Sequence, residues 1–265
     1  MDTKRYTTAN IEAWNEAAPI HARHNQARFI EQFRDPAFLE LSSVERSRLD
    51  AIGLDGKDVA QVCCNNGREL ISIKRLGAAR CVGFDGSEAF VDQARELNEA
   101  AGTDCEFVCT DIYDIDPAFN DAFNIVVITI GVLSWMPDLP KFFQVVAEII
   151  RPGGILFIDE QHPFLNMMQV GGDDDPVAFE LSYFDKEPYV ETEGLDYWQG
   201  ETYDAKPNMS FSHTLADIIM AGIGQGLVVE HFAEYPEHIS NTWYNVEKQI
   251  DGFPMSFTLE FRKSI

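Results

Sequence analysis

The feature that most constrains this chain is an alternation that begins at Val59. Short apolar runs of strand length are separated by stretches of helical period. The runs are Val59 to Cys63, "ARCVGFD" ending at Asp85, "CEFVCTD" ending at Asp111, "FNIVVITIG" ending at Gly131, and "ILFIDEQ" ending at Gln161. Helical patterns follow the first run to about Leu76, the second from Ser87 to about Ala101, and the fourth over residues 140–150. Strands alternating with helices of this length imply right-handed βαβ units and a parallel sheet. The fourth run is the most apolar, as a central strand covered on both faces should be. Two later runs, "LVVEHFAEYP" and "MSFTLEFRK", read as a pair that closes the sheet. The expected fold is therefore α/β: a doubly wound sheet of seven strands, mostly parallel, with an antiparallel C-terminal strand.

Two segments stand outside this alternation. Residues 8 to 50 carry helical periodicity through Ile11, Trp14, Ala18, Phe29, Ile30 and Phe33, with Pro19 and Pro36 expected at boundaries or kinks. Residues 164–212 lack a helical period. Between Asp173 and Asp204 they hold 11 acidic residues and one basic residue, Lys186, together with seven aromatic side chains. Disordered segments are poor in aromatics, so this one should fold, as a small cap of short strands inserted after strand five. The expected organisation is a helical cap over 1–50, a main domain over 51–163 and 213–265, and an inserted lid over 164–212.

Composition narrows the partners. The chain has 265 residues, with 20 basic against 44 acidic side chains and a formal net charge of −24. Binding to nucleic acid needs Lys and Arg against phosphates, and this balance argues against it. No apolar run approaches the length that spans a membrane, and the first residues lack the apolar core of a secretory signal. The five cysteines, at 63, 64, 81, 105 and 109, include an adjacent pair that cannot easily close a relaxed disulfide. They read as small packing residues in a reducing compartment, which places the protein in the cytoplasm, and no metal site is expected.

Ligands in open α/β sheets bind outside the carboxyl ends of the strands. Those ends here are polar or small: Cys64-Asn65-Asn66-Gly67, Asp85-Gly86, Asp111-Ile112, Thr129-Ile130-Gly131, and Glu160-Gln161-His162, with the turn "RPGG" before strand five. In this order the residues resemble the class I S-adenosylmethionine-dependent methyltransferases. They look most like the small-molecule branch that includes the quinone-biosynthesis enzymes. The resemblance runs from about Lys57 to the C-terminus and is strongest between Val59 and Asp159. It implies a Rossmann-like fold and S-adenosylmethionine as cofactor, converted to S-adenosylhomocysteine. It implies further that Cys64 and Asn65 to Gly67 approach the methionine part, Asp85 and Gly86 the ribose hydroxyls, and Asp111 and Ile112 the adenine. Thr129, Ile130 and Gly131 would face the sulfonium and the acceptor.

The first turn departs from the family pattern of acidic, x, Gly, x, Gly, x, Gly. The matching residues are Gln61, Cys63, Asn65 and Gly67. Asn tolerates the left-handed region because its short side chain bonds locally, so Asn65 can do glycine's work. A dinucleotide would need close backbone approaches to a pyrophosphate, for which the glycines are missing. Methyl transfer from a sulfonium needs alignment above all, and a base only when the acceptor holds a proton of high pKa. His162 and His24 are the candidate bases. Trp14, His21, Tyr183, Tyr197 and Trp198 are expected to wall a small-molecule acceptor, with the aromatic faces shielding the cation. The protein would act as a monomer or homodimer, without nucleic acid or membrane, moving a methyl group to oxygen or nitrogen. The alternatives are a cyclisation-type enzyme of the same fold or a non-catalytic binding module.

Overall fold

Five parallel strands form the centre of the sheet in the computed structural model, which describes residues 3–168, 175–198, 200–240 and 242–265. They are β1 (Asp58–Val62), β2 (Arg80–Asp85), β3 (Glu106–Cys109), β4 (Phe123–Ile128) and β5 (Ile150–Gln161). A separate antiparallel pair, β6 (Tyr189–Glu191) and β7 (Asn208–Ser210), lies in the insertion. The strands β8 (Leu227–Tyr235) and β9 (Ser256–Lys263) complete a seven-stranded sheet of order β3-β2-β1-β4-β5-β9-β8. β9 runs antiparallel to both its neighbours, as expected for the C-terminal strand. β1 pairs in parallel with β2 on one side and β4 on the other. The chain winds outward in opposite directions from these two central strands, which opens a crevice beyond their carboxyl ends.

The helices are α1 (Thr3–Phe33), α2 (Ser43–Ile52), α3 (Arg68–Arg75), α4 (Glu88–Ala101), α5 (Leu139–Ile149), α6 (Leu215–Gly224) and α7 (Tyr244–Gln249). Side chains alternate across the central strands. Ala60, Val126 and Ile158 join the core under α5 and α6, whereas Val59, Val127 and Phe157 join the core under α2, α3 and α4.

Pro19 is not a boundary: α1 continues through it for 31 residues, and only Pro36 lies beyond a helix end. An internal proline costs a helix about 3 kcal/mol. Ala13, Ala17, Ala18, Phe29 and Phe33, on both sides of Pro19, are buried and offset that cost by burial. A second correction concerns the cysteines. Cys64, Cys81 and Cys105 are buried, but Cys109 is exposed at the end of β3. β3 is an edge strand, so its last residue has no neighbour on one side. All five thiols are free.

The insertion is fastened to α1 and to the loop beyond β4. Asn10 of α1 pairs with the backbone of Met209 in β7 in both directions, at 2.8 and 2.7 Å, much as a neighbouring strand would. Phe211 donates its backbone N–H to the Ser134 carbonyl at 2.8 Å. The segment of the insertion over residues 169–174, and Gln199, lie outside the described residues.

Candidate functional site

The turn between β1 and α3 is wound in the left-handed region at three positions. Cys63 has φ 53°, Asn65 φ 50° and Gly67 φ 74°. Asn65 uses its side chain as anticipated: Oδ1 accepts the Asn66 N–H at 2.8 Å. Cys63 is more than a packing residue, because it too holds a conformation that few non-glycine residues adopt. Gly67 is required twice over, since a Cβ there would also stand 2.5 Å from the Phe107 ring. The outcome is a chain folded back on itself at the start of α3, whose first N–H groups have no partner within the helix.

Asp85, at the end of β2, braces this turn. Its carboxylate accepts the Asn65 N–H and the Ser87 N–H, both at 2.8 Å. Burial pushes its carboxyl up, and these backbone donors pull it back. Next to it, Gly86 faces α1: a Cβ there would meet Ile11 Cγ1 at 2.6 Å. Asn15 of α1 reaches the same corner and accepts from the Ser87 hydroxyl at 2.9 Å and from Ala89 N–H at 3.1 Å. At the end of β3, Asp111 accepts from the Thr7 hydroxyl at 2.6 Å, from Lys4 at 3.1 Å and from Tyr113 N–H at 3.1 Å. Ile112 is buried beside it. Thus α1 lies across the ends of β2 and β3, in contact with Gly86, Ser87 and Asp111.

Beyond β4, Thr129 is buried and accepts from the Gln61 amide at 3.1 Å, while Ile130 is exposed and Gly131 has φ 84°. The loop is held by a residue that sequence reasoning did not assign. Glu160 of β5 accepts N–H bonds from Gly131 at 2.5 Å, Leu133 at 3.1 Å and Gln161 at 2.8 Å. Burial nevertheless pushes its carboxyl up to about 7. A void of about 20 Å³, room for one water, lies against Leu133, Ser134, Glu160, Gln161, Asn166 and His213. His213 was also missed. Its Nε2 sits 2.9 Å from the Met136 carbonyl, which makes Nε2 the protonated nitrogen.

The predicted acceptor residues are only partly brought together. Trp14, His21 and Tyr197 meet edge to face, with His21 and Tyr197 ring centres 4.6 Å apart. Phe90 and Trp135 complete this wall, Trp135 at 5.3 Å from Trp14. His21 is closed off by the Leu195 carbonyl, 2.7 Å from its Nε2. Trp198 packs beside Tyr197 but turns to Phe29 and the Arg68 guanidinium. Tyr183 lies apart, against Phe164 and the first turn of α6.

Of the two histidines proposed as bases, His162 has both ring nitrogens engaged. His162 is buried; its Nδ1 accepts the Phe164 N–H at 3.2 Å and its Nε2 lies 3.0 Å from Glu234. Both nitrogens are used, so His162 caps the turn Pro163–Met167. His24 points at Asp196 and Glu201, 3.7 and 3.8 Å away on the insertion.

Comparison with known proteins identifies the frame. Residues 59–154 match the family described as a methyltransferase domain. Over these residues the chain carries a methyltransferase domain, similar to those of the class I S-adenosylmethionine-dependent enzymes. It is 31% identical over 127 residues to a ubiquinone biosynthesis O-methyltransferase of Neisseria meningitidis, covering 45% of this chain and 52% of that one. It is 30% identical over 174 residues to a trans-aconitate 2-methyltransferase of Escherichia coli O157:H7, covering 65% and 60%. A tRNA U34 carboxymethyltransferase of Campylobacter curvus matches at 28% over 111 residues, covering 42% and 37%. The chain thus spans roughly a third to three fifths of the length of these curated relatives. Among solved structures, an S-adenosylmethionine-dependent methyltransferase from Mesorhizobium loti superposes with a TM-score of 0.59 at 18% identity, over 84% of this chain and 99% of that one, and so shares the fold. S-adenosylmethionine is the cofactor of this domain type. The residues present fit it: a cradle that admits no Cβ at Gly67, a carboxylate at the end of β2, and a buried Gln61 Oε1 without a partner at the base of the crevice.

Proposed function

We propose that the protein transfers the methyl group of S-adenosylmethionine to an oxygen or nitrogen of a small-molecule acceptor. The observation that carries this reading is the turn Cys63 to Gly67, held in the left-handed region at three positions and tied to Asp85. Such a backbone costs free energy at Cys63 and Asn65, and strain of this kind gathers where a function uses it. In this reading Cys64 to Gly67 hold the methionine part, Asp85 and Gly86 the ribose, and Asp111 and Ile112 the adenine. Thr129, Ile130 and Gly131 border the reacting methyl group. Trp14, Trp135 and Tyr197 wall the acceptor, and residues 164–212 act with α1 as a lid over the main domain.

A small acceptor is favoured over tRNA by charge. With 44 acidic against 20 basic side chains, the surface repels a polyanion. The acidic insertion supports a neutral or cationic acceptor. Free thiols, three of them buried, support a cytoplasmic location, and no described helix is long and apolar enough to cross a membrane. The test is a panel of small hydroxylated and amino compounds, and bulk tRNA, incubated with methyl-labelled S-adenosylmethionine. Label in a small compound supports the reading. Label in tRNA alone, or cofactor bound but never demethylated, would overturn it.

A further inference from the structure

Away from the strand ends, three side chains of metal-ligand type from two distant parts of the chain converge on one point. His24 stands on α1, and Asp196 and Glu201 stand on the segment that joins β6 to β7. A ligand atom from each lies within 4.8 Å of the other two. The Asp196 side chain is wholly buried and Glu201 is exposed, so the point has a closed floor and an open mouth. The Asp196 carboxylate is held in place by the backbone around it. Its Oδ1 accepts the Trp198 N–H and its Oδ2 the Glu201 N–H, both at 3.1 Å.

His24 Nε2 is the atom left over. It is buried, and no hydrogen bond reaches it among the described residues. It faces Asp196 Oδ2 at 3.7 Å and Glu201 Oε2 at 3.8 Å, beyond hydrogen-bond reach of either. A buried ring nitrogen aimed between two carboxylates and bonded to neither calls for an explanation. The spacing supplies one. A tetrahedral cation held by nitrogen and oxygen at about 2.1 Å puts its ligand atoms about 3.4 Å apart. The observed separations exceed that edge by only a few tenths of an ångström, and Glu201 is an exposed side chain that can move inward. One imidazole with two carboxylates suits Zn²⁺, whereas Mg²⁺ and Ca²⁺ take oxygen alone. The competing cation is Arg23, which reaches Glu201 Oε2 at 2.7 Å from an exposed position.

We propose that His24, Asp196 and Glu201 form a zinc-class metal site that clasps the insertion to α1, with water completing the tetrahedron. The site stands apart from the methyl-transfer reading and does not depend on it. Its role is to order the insertion, because the same segment carries two residues that touch α1. The Leu195 carbonyl lies 2.7 Å from His21 Nε2, and Tyr197 packs edge to face on Trp14. A metal at His24 therefore fixes the loop that brings Tyr197 to the aromatic wall. No spacing motif announces this site, since Asp196 and Glu201 lie 172 and 177 positions beyond His24, and for that reason no metal was expected.

The test is calorimetric titration of the chelator-treated full chain with zinc chloride. The wild type should bind one Zn²⁺ per chain with Kd on the order of micromolar. His24→Gln and Glu201→Gln should each weaken that binding tenfold or more. Glu201 is exposed, so its variant is protected from a folding defect. Arg23→Gln removes the competing cation and should bind zinc more tightly than the wild type. Zinc should also slow proteolysis within residues 195–203 of the wild type and not of Glu201→Gln, which reads the clasp itself. Cobalt in place of zinc should give visible bands without thiolate charge transfer, which separates this site from the exposed Cys109. Zinc affinity unchanged in both ligand variants overturns the site, as does thiolate absorption that disappears in Cys109→Ser. Absence of binding at about 0.1 mM zinc overturns it too, and leaves the three side chains as an ion pair only. Zinc bound at full affinity with no change in proteolysis overturns the clasp.

Discussion

The backbone N–H of Asn65 donates to Asp85 Oδ2 at 2.8 Å, and this one bond joins the two strand ends that a cofactor would bridge. It also explains how a turn with a single glycine keeps its shape. Asn65 contributes a tolerant backbone and a side chain that closes on Asn66, while Asp85 holds it from the neighbouring strand.

Substitution in the turn should separate conformation from contact. Asn65→Gly should leave stability within a few tenths of a kcal/mol, because glycine accepts positive φ freely. Asn65→Val and Cys63→Val should each cost about 1–2 kcal/mol or more, the penalty of the left-handed region, which is steepest for β-branched side chains. Chemical denaturation measures all three, and a harmless Cys63→Val would contradict the strained geometry.

Removing the brace should act on binding more than on folding. Asp85→Ala should lower affinity for S-adenosylhomocysteine by tenfold or more, read by titration. An unchanged affinity would show that the ribose lies elsewhere.

The contact between Gly86 and Ile11 predicts a coupled pair. Gly86→Ala places a methyl group 2.6 Å from Ile11 and should lift α1 from the strand ends, increasing proteolysis within residues 3–33. Ile11→Ala in the same chain should restore protection. Independent, additive effects would mean that α1 is not seated on Gly86.

Stability should fall as pH rises from about 4.5 to about 7. Glu160 and Glu45 are both raised from 4.5 to about 7 by burial. A carboxyl whose folded pKa is raised binds its proton more tightly in the native state, so its contribution is full below about 4.5 and is lost as pH climbs to about 7. Urea denaturation at pH 5.5 and 8 should show the protein more stable at 5.5. Glu160→Gln should flatten part of that slope, and a wild-type slope of opposite sign would contradict the burial.

His162→Gln should cost about 1–2 kcal/mol of stability, as loss of a cap does, while kcat stays within a few-fold. A hundredfold fall in kcat with an intact fold would restore His162 as a base.

Much of this was legible because strands in a doubly wound sheet announce themselves as apolar runs, and their ends are where polarity returns. Asp85, Asp111 and Thr129 could be placed at one edge for that reason. Three things were not legible. Pro19 sits inside α1 because burial along 31 residues outweighs a local rule. Cys63 looks like a packing residue, and nothing in its type announces a positive φ. Glu160 and His213 act through contacts with residues 29 and 77 positions away, Gly131 and Met136, which no local pattern encodes. For Glu160 a signal existed: an acid at the end of a central strand, opposite a glycine loop, needs donors.

The central claim is that the turn Cys63 to Gly67 is a working cofactor cradle. Calorimetric titration of the wild-type protein with S-adenosylhomocysteine tests it most directly. The account predicts one site per chain with Kd on the order of micromolar, about −8 kcal/mol. Absence of binding at about 1 mM would contradict it.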